Sequence, residues 1–161
     1  MANALVVYYS LDGDVRFLAR ALAKELSLDA MELELIKPHP AHGFMKYFKG
    51  GLLAATGATP PLRPLAHDAG HYDIIFVGTP VWNGHPTPAV RSFLKDADLK
   101  GKRVAFFTCY AASDVKTQRI LASLVPGAKV AGTIGFKAPL KNDRERCAAD
   151  LVRWGQAIVT S

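Results

Sequence analysis

A chain of 161 residues, half of them hydrophobic and 21% charged, is long enough to bury roughly 70% of its unfolded surface and too apolar to stay disordered. Two cysteines exclude a disulfide scaffold, and 13 glycines with 10 prolines fall far short of a collagen-like repeat. Lys and Arg outnumber Asp and Glu by 20 to 14, a formal charge of +6, which favours phosphates, anionic surfaces and acidic partners. The expectation is one domain over 1–161.

The apolar run from Ala4 to Tyr9, closed by Ser10, Asp12 and Gly13, predicts a strand buried on both faces. It carries no preceding basic segment and is too short for a signal peptide or a membrane span, so a cytoplasmic protein without membrane insertion is expected. Val15, Leu18, Ala19, Leu22, Ala23 and Leu26 recur at helical spacing, leaving Arg16, Arg20 and Lys24 on the opposite face. The loop between strand and helix has Asp12 or Asp14 as its candidate N-cap. A second strand is predicted near Ala30 to Ile36.

Residues from Gly43 to Thr56 have helical spacing through Phe44, Tyr47 and Phe48. Gly50 and Gly51 are expected to interrupt it, and Pro60, Pro61 and Pro64 to end any continuation. That predicts a short helix and a long surface connection, which could serve as a subunit contact in a homodimer, a lid or core. The third strand, Asp73 to Gly78, rests on Ile74, Ile75, Phe76 and Val77. Thr87 followed by Pro88 predicts a helix start leading into Val90, Phe93 and Leu94. A fourth strand over Val104 to Thr108, a helix from Val115 to Leu124, a fifth strand from Ala128 to Phe136 and a last helix opened by Asn142 complete the chain.

Strands alternating with helices predict an α/β fold: a doubly wound, five-stranded parallel sheet with helices on both faces. In the order 2-1-3-4-5 the winding reverses between strands one and three, and a ligand crevice opens at their carboxyl ends. Three loops then matter: Ser10 to Val15, Thr79 to Pro88 and Cys109 to Asp114. The first joins a buried strand to a helix N-terminus, where backbone N–H groups and the helix dipole attract an anion. The second carries Trp82, which either faces a planar ligand or closes the end of the core.

The segments VVYYSLDGDVRFLARALAKEL, YDIIFVGTPVWNGHPTPAVRSFL and LKGKRVAFFTCYAASDVKT resemble the flavodoxin family, particularly its short flavin mononucleotide (FMN)-binding oxidoreductase branch, over nearly the whole chain. The resemblance implies the flavodoxin-like sheet order above and FMN as cofactor. It implies that Ser10, Leu11, Asp12, Gly13, Asp14 and Val15 surround the phosphate. Thr79, Pro80, Val81, Trp82, Asn83 and Gly84, with Cys109, Tyr110, Ala111 and Ala112, would flank the ring, Trp82 stacking on it. Electron transfer, or NAD(P)H-dependent reduction of quinone or flavin-type acceptors, is the activity implied, with a redox protein or a small electron acceptor as partner.

The family's phosphate loop reads Ser or Thr, any residue, Thr or acidic, Gly, Asn, Thr; here Asp14 replaces the Asn and Val15 the final Thr. A carboxylate near a phosphate weakens its binding, and Arg16 or Arg20 is available to offset it. Ala111, Ala112 and Ser113 stand where the family branch is glycine-rich. Cys109 and Tyr110 have no neighbouring base and are assigned contact roles without a catalytic residue. Asn83 and Gly84 suit positive φ, either to turn a carbonyl toward flavin N5 or as a surface turn.

Other classes fit less well. A response-regulator receiver would have an Asp at the end of the third strand, where Gly78, Thr79 and Pro80 stand. A low-molecular-weight phosphatase would have Arg at the position of Val115. His39 with His42, and His67 with His71, allow a metal reading but read equally as exposed loop residues, so no metal is assigned. Lys46 to Lys49 is too short a basic and aromatic stretch for nucleic acid. A flavin-free interaction domain with a degenerate phosphate loop is the alternative function.

Overall fold

A computed structural model describes residues 2–38 and 43–161, with backbone alone over 43–47. His39 and His42 lie outside the described residues, as do the side chains of Phe44 and Tyr47. In chain order the elements are β1 (Ala4–Tyr8), α1 (Asp14–Leu26), β2 (Asp29–Glu32), α2 (Gly43–Ala55), β3 (Ile74–Trp82), β4 (His85–Pro86), α3 (Pro88–Asp96), β5 (Arg103–Tyr110), α4 (Val115–Ser123), β6 (Lys129–Lys137) and α5 (Arg144–Thr160).

The parallel strands run β2-β1-β3-β5-β6, the order expected for five strands, with β4 as a short sixth strand pairing antiparallel to the end of β3. Alternate residues of the strands feed two cores. Leu5, Val7, Ile75, Val77 and Phe106 meet Phe93 of α3, Ala54 of α2 and Leu121 of α4 on one face. Val6, Phe76 and Phe107 meet Leu18 and Leu22 of α1 and Leu151 of α5 on the other. Burial on both faces is why these strands read as continuous apolar runs.

Four expectations change. α2 continues through Gly50 and Gly51 instead of breaking, because the helix lies on Trp82: a Cβ at Gly50 would sit 3.1 Å from the indole ring. The glycine there serves close approach, which outweighs its low helix propensity. The first helix has Gly13, at φ 100°, as its N-cap in place of Asp12 or Asp14. The last helix is capped by Asp143, whose carboxylate accepts from the Arg146 N–H at 3.3 Å, and not by Asn142. β3 runs on to Trp82 because the Asn83–Gly84 turn, with φ 52° and 74°, folds β4 back on it as a two-residue hairpin.

α2, the helix expected in this segment, leaves Phe48 and Leu52 57% and 58% exposed as an outward apolar edge. No helix among the described residues is long and apolar enough to cross a membrane.

Candidate functional site

The carboxyl ends of β1, β3, β5 and β6 frame a crevice of about 550 Å³, within the roughly 300–1,000 Å³ usual for small-molecule sites. One end is ionic, lined by Ser10, Asp12, Asp14 and Lys141. The other is largely apolar, lined by Pro80, Val81 and Trp82 on one side and by Cys109, Tyr110 and Ala111 on the other. Leu11, Val15 and Ala138 complete the wall. A larger groove of about 670 Å³ runs between α1 and α5, past Phe17, Ala21, Ala148 and Val152. It lies along helix surfaces away from the strand ends, so it lacks the converging loops that make a doubly wound sheet a binding scaffold.

The ionic end is built by the turn into α1. The Ser10 hydroxyl accepts from the Gly13 N–H at 3.1 Å, which closes the loop, and the positive φ of Gly13 turns the chain into the helix. The N–H groups of Asp14, Val15 and Arg16 then have no intrahelical acceptor, and the dipole adds a partial positive charge. Asp14 accepts from the Leu140 N–H at 2.9 Å, a bond that fastens the loop after β6 to the start of α1. The Ala138 N–H donates to the Tyr110 carbonyl at 2.9 Å and fastens the same loop to β5. Arg16 is taken up by Glu32, its Nε donating to both carboxylate oxygens at 3.1 Å, and reaches the Ser10 carbonyl at 3.4 Å. The cation that lines the crevice is Lys141.

At the apolar end, Trp82 is 9% exposed and belongs to the core between the sheet and α2. Its ring meets Tyr9 edge to face, centroids 5.8 Å apart and planes at 86°, and lies against Gly50. Trp82 thus closes the end of the core and also lines the crevice. Burial foremost, with the Glu32 and Asp12 charges, pushes the Tyr9 phenol up to about 12. Burial likewise pushes the Cys109 thiol well above its ordinary range, with Asp14 and Cys147 adding to the shift, which disfavours the thiolate there. Behind the loop after β5, the buried Asp114 accepts from the Thr108 hydroxyl at 2.6 Å and the Gln118 amide at 2.7 Å, which anchors residues 110–113.

Most of the residues expected at the site line this one crevice. Five do not: Gly13, Thr79, Asn83, Gly84 and Ala112. Thr79 is fully buried; its hydroxyl accepts from the Thr87 N–H at 3.1 Å and donates to the Pro80 carbonyl at 2.8 Å, holding the entry to α3. Asn83 and Gly84 form the hairpin turn, and Gly13 shapes the loop from behind. Two crevice residues were not anticipated, Ala138 and Lys141, although the rule that crevices form at strand carboxyl ends applies to the last strand as well. Among the described residues no group of three or more His, Cys, Asp or Glu is placed to hold a metal; His67 instead meets the Tyr72 hydroxyl at 3.0 Å.

A family model described as a flavodoxin domain matches residues 53–138, just over half of the chain. The match spans β3 to β6 and the loops of the apolar end; the segment 10–15 lies before it. The fold is shared with a flavoprotein solved in complex with FMN from Lactobacillus acidophilus NCFM, at 22% identity, TM-score 0.71, over 89% of this chain and 98% of that one. It is shared with flavodoxin 2 of Bacillus cereus, solved oxidised, at 18% identity, TM-score 0.62, over 98% and 97%. The two-electron reduced flavodoxin of Megasphaera elsdenii matches at 16% identity, TM-score 0.61, over 98% and 99%. The protein has a doubly wound α/β fold with its crevice at the topological switch point. It belongs to the flavodoxin family.

Proposed function

We propose that the crevice binds FMN and that the protein is a flavodoxin-type redox protein, passing electrons to a small acceptor of the quinone or flavin kind or to a redox partner. The observation that carries this reading is the division of one crevice into an ionic end at the start of α1 and an apolar slot between residues 80–82 and 109–111. A flat heterocycle with a phosphate tail has that same division. The Lactobacillus acidophilus relative, solved with FMN, supports it.

FMN supplies one- and two-electron redox chemistry when bound. The protein's own residues do the rest. The first-turn N–H groups of α1, with Lys141, hold the phosphate against the opposing charge of Asp12 and Asp14. Pro80, Val81, Cys109 and Ala111 keep water from the slot, and the Asp114 anchor keeps its far wall in place. Trp82 and Tyr9, locked edge to face, stiffen the near wall.

The test is titration of FMN with the protein, read as quenching of flavin fluorescence. Saturable quenching in the micromolar range or tighter is expected; its absence at tens of micromolar protein favours the flavin-free interaction domain, to which the two carboxylates at the ionic end point. NADPH oxidation by the FMN-loaded protein with a quinone acceptor then separates a reductase from an electron shuttle.

A further inference from the structure

We propose that His85, Arg91 and Lys116 form a phosphate-binding subsite at the Asn83–Gly84 turn, beside the crevice-lining Trp82, which holds the phosphate of a small-molecule electron donor. The binding half stands alone; the electron-donor half rests on the function proposed above.

The three side chains come from β4, α3 and α4 and gather around the Asn83–Gly84 turn, with Lys116 close enough for its charge to act on His85. Arg91 Nη2 lies 3.3 Å from His85 Nδ1. Arginine has only donors, so a hydrogen bond here makes Nδ1 the acceptor, the arrangement of a neutral imidazole with its proton on Nε2. Lys116 packs against the turn, its Cδ 3.2 Å from where a Cβ on Gly84 would stand. Every remaining side-chain nitrogen of the cluster is therefore a donor. Among the described residues no carboxylate pairs with any of the three. Arg91 Nε is buried without a hydrogen-bond partner.

A guanidinium in that setting has lost part of its hydration without gaining an anion, and burial accordingly lowers its pKa. His85 is pushed below its usual value by burial first and by the Lys116 and Arg91 charges after it. Donors without acceptors, and two cations around a neutral imidazole, are complementary to an oxyanion. The place suits a substrate, since His85 is the cross-strand partner of Trp82, which lines the apolar end of the crevice.

The first arm titrates sodium phosphate into the full-length FMN-free protein at constant ionic strength, following the His85 Hε1 resonance. A saturable shift and a raised His85 titration midpoint are expected, because a bound anion favours the imidazolium. Lys116→Gln and Arg91→Gln should each weaken phosphate binding at least fivefold. Lys116 is exposed, so its variant decides the matter if Arg91→Gln fails to fold. A His85 signal that moves no further with phosphate than with chloride, or a Lys116→Gln protein that binds phosphate as before, overturns the subsite. The second arm compares NADPH with NADH as donors to the FMN-loaded protein. Lys116→Gln should raise KM at least fivefold for NADPH alone, and inorganic phosphate should compete with NADPH. Equal effects on both donors, or no competition, overturn the donor assignment and mark the subsite as one for free phosphate. Phosphate binding at His85 in a protein that takes no FMN overturns the crevice reading and the donor assignment with it.

Discussion

Replacing Asp14 by Asn isolates the charge that most opposes a phosphate at the ionic end. Asp14 is half-buried in the first turn of α1, and its side-chain oxygen accepts from the Leu140 N–H at 2.9 Å. The Asn amide oxygen can accept that same bond, so the variant removes a charge and leaves the contact that fixes the loop. A phosphate seated on the first turn lies within about 5 Å of residue 14, where two unit charges at an effective dielectric of about 20 repel by roughly 3 kcal/mol. Partial exposure and physiological salt reduce this to about 1.5–2.5 kcal/mol, or roughly 10- to 70-fold in affinity. Riboflavin has the same ring and no phosphate, so it serves as the internal control. Fluorescence titration of Asp14→Asn should show FMN bound at least tenfold tighter and riboflavin unchanged. Equal gains for both flavins, or none for FMN, refute the placement of the phosphate beside α1.

Three further outcomes follow from the packing. Gly135→Ala would put a Cβ 2.0 Å from the Asp114 carboxylate and 2.9 Å from the Thr108 hydroxyl; a loss of about 2–4 kcal/mol in urea unfolding is expected, and an unchanged midpoint would refute the account of the Asp114 anchor. Cys109 is buried and Cys147 only half-buried, so a thiol reagent at pH 8 should modify Cys147 in the native protein and reach Cys109 only in denaturant, with Cys147→Ser abolishing the native reaction. Burial, assisted for Tyr72 by its hydrogen bond to Asp29, holds the Tyr9 and Tyr72 phenols at about 12 against the ordinary 10.0. Above pH 10 the unfolded chain ionises first. Their contribution is therefore whole below pH 10 and lost as pH rises toward 12, and the urea midpoint should fall across that window, less steeply in Tyr72→Phe.

The alternation of strands and helices was legible because a parallel sheet covered on both sides demands unbroken apolar runs such as Ile74 to Val77, and amphipathic spacing such as that of Val15 to Leu26. The order of the strands came from the resemblance to flavodoxins, and the crevice between the first and third strands followed from that order. What escaped the sequence depends on contacts distant along the chain. Gly50 reads as a helix breaker until the Trp82 ring beneath it is seen, and Trp82 at a strand end reads equally well as a ligand face or as the closure of a core that α2 completes. The β3–β4 hairpin was signalled by Asn83 and Gly84, but a two-residue strand ending in Pro86 has no periodicity to detect. Ala138 and Lys141 belong to a loop fastened to the crevice by bonds distant in sequence, Leu140 N–H to Asp14 and Ala138 N–H to the Tyr110 carbonyl. Thr79 sits beside crevice residues in the chain, yet its hydroxyl turns inward to Thr87.

The most direct measurement is a crystal structure of the protein grown with FMN. The isoalloxazine ring is expected between residues 80–82 and 109–111, with the phosphate at the first turn of α1 near Lys141. Flavin density in the groove between α1 and α5, or none in the crevice at millimolar FMN, would contradict it.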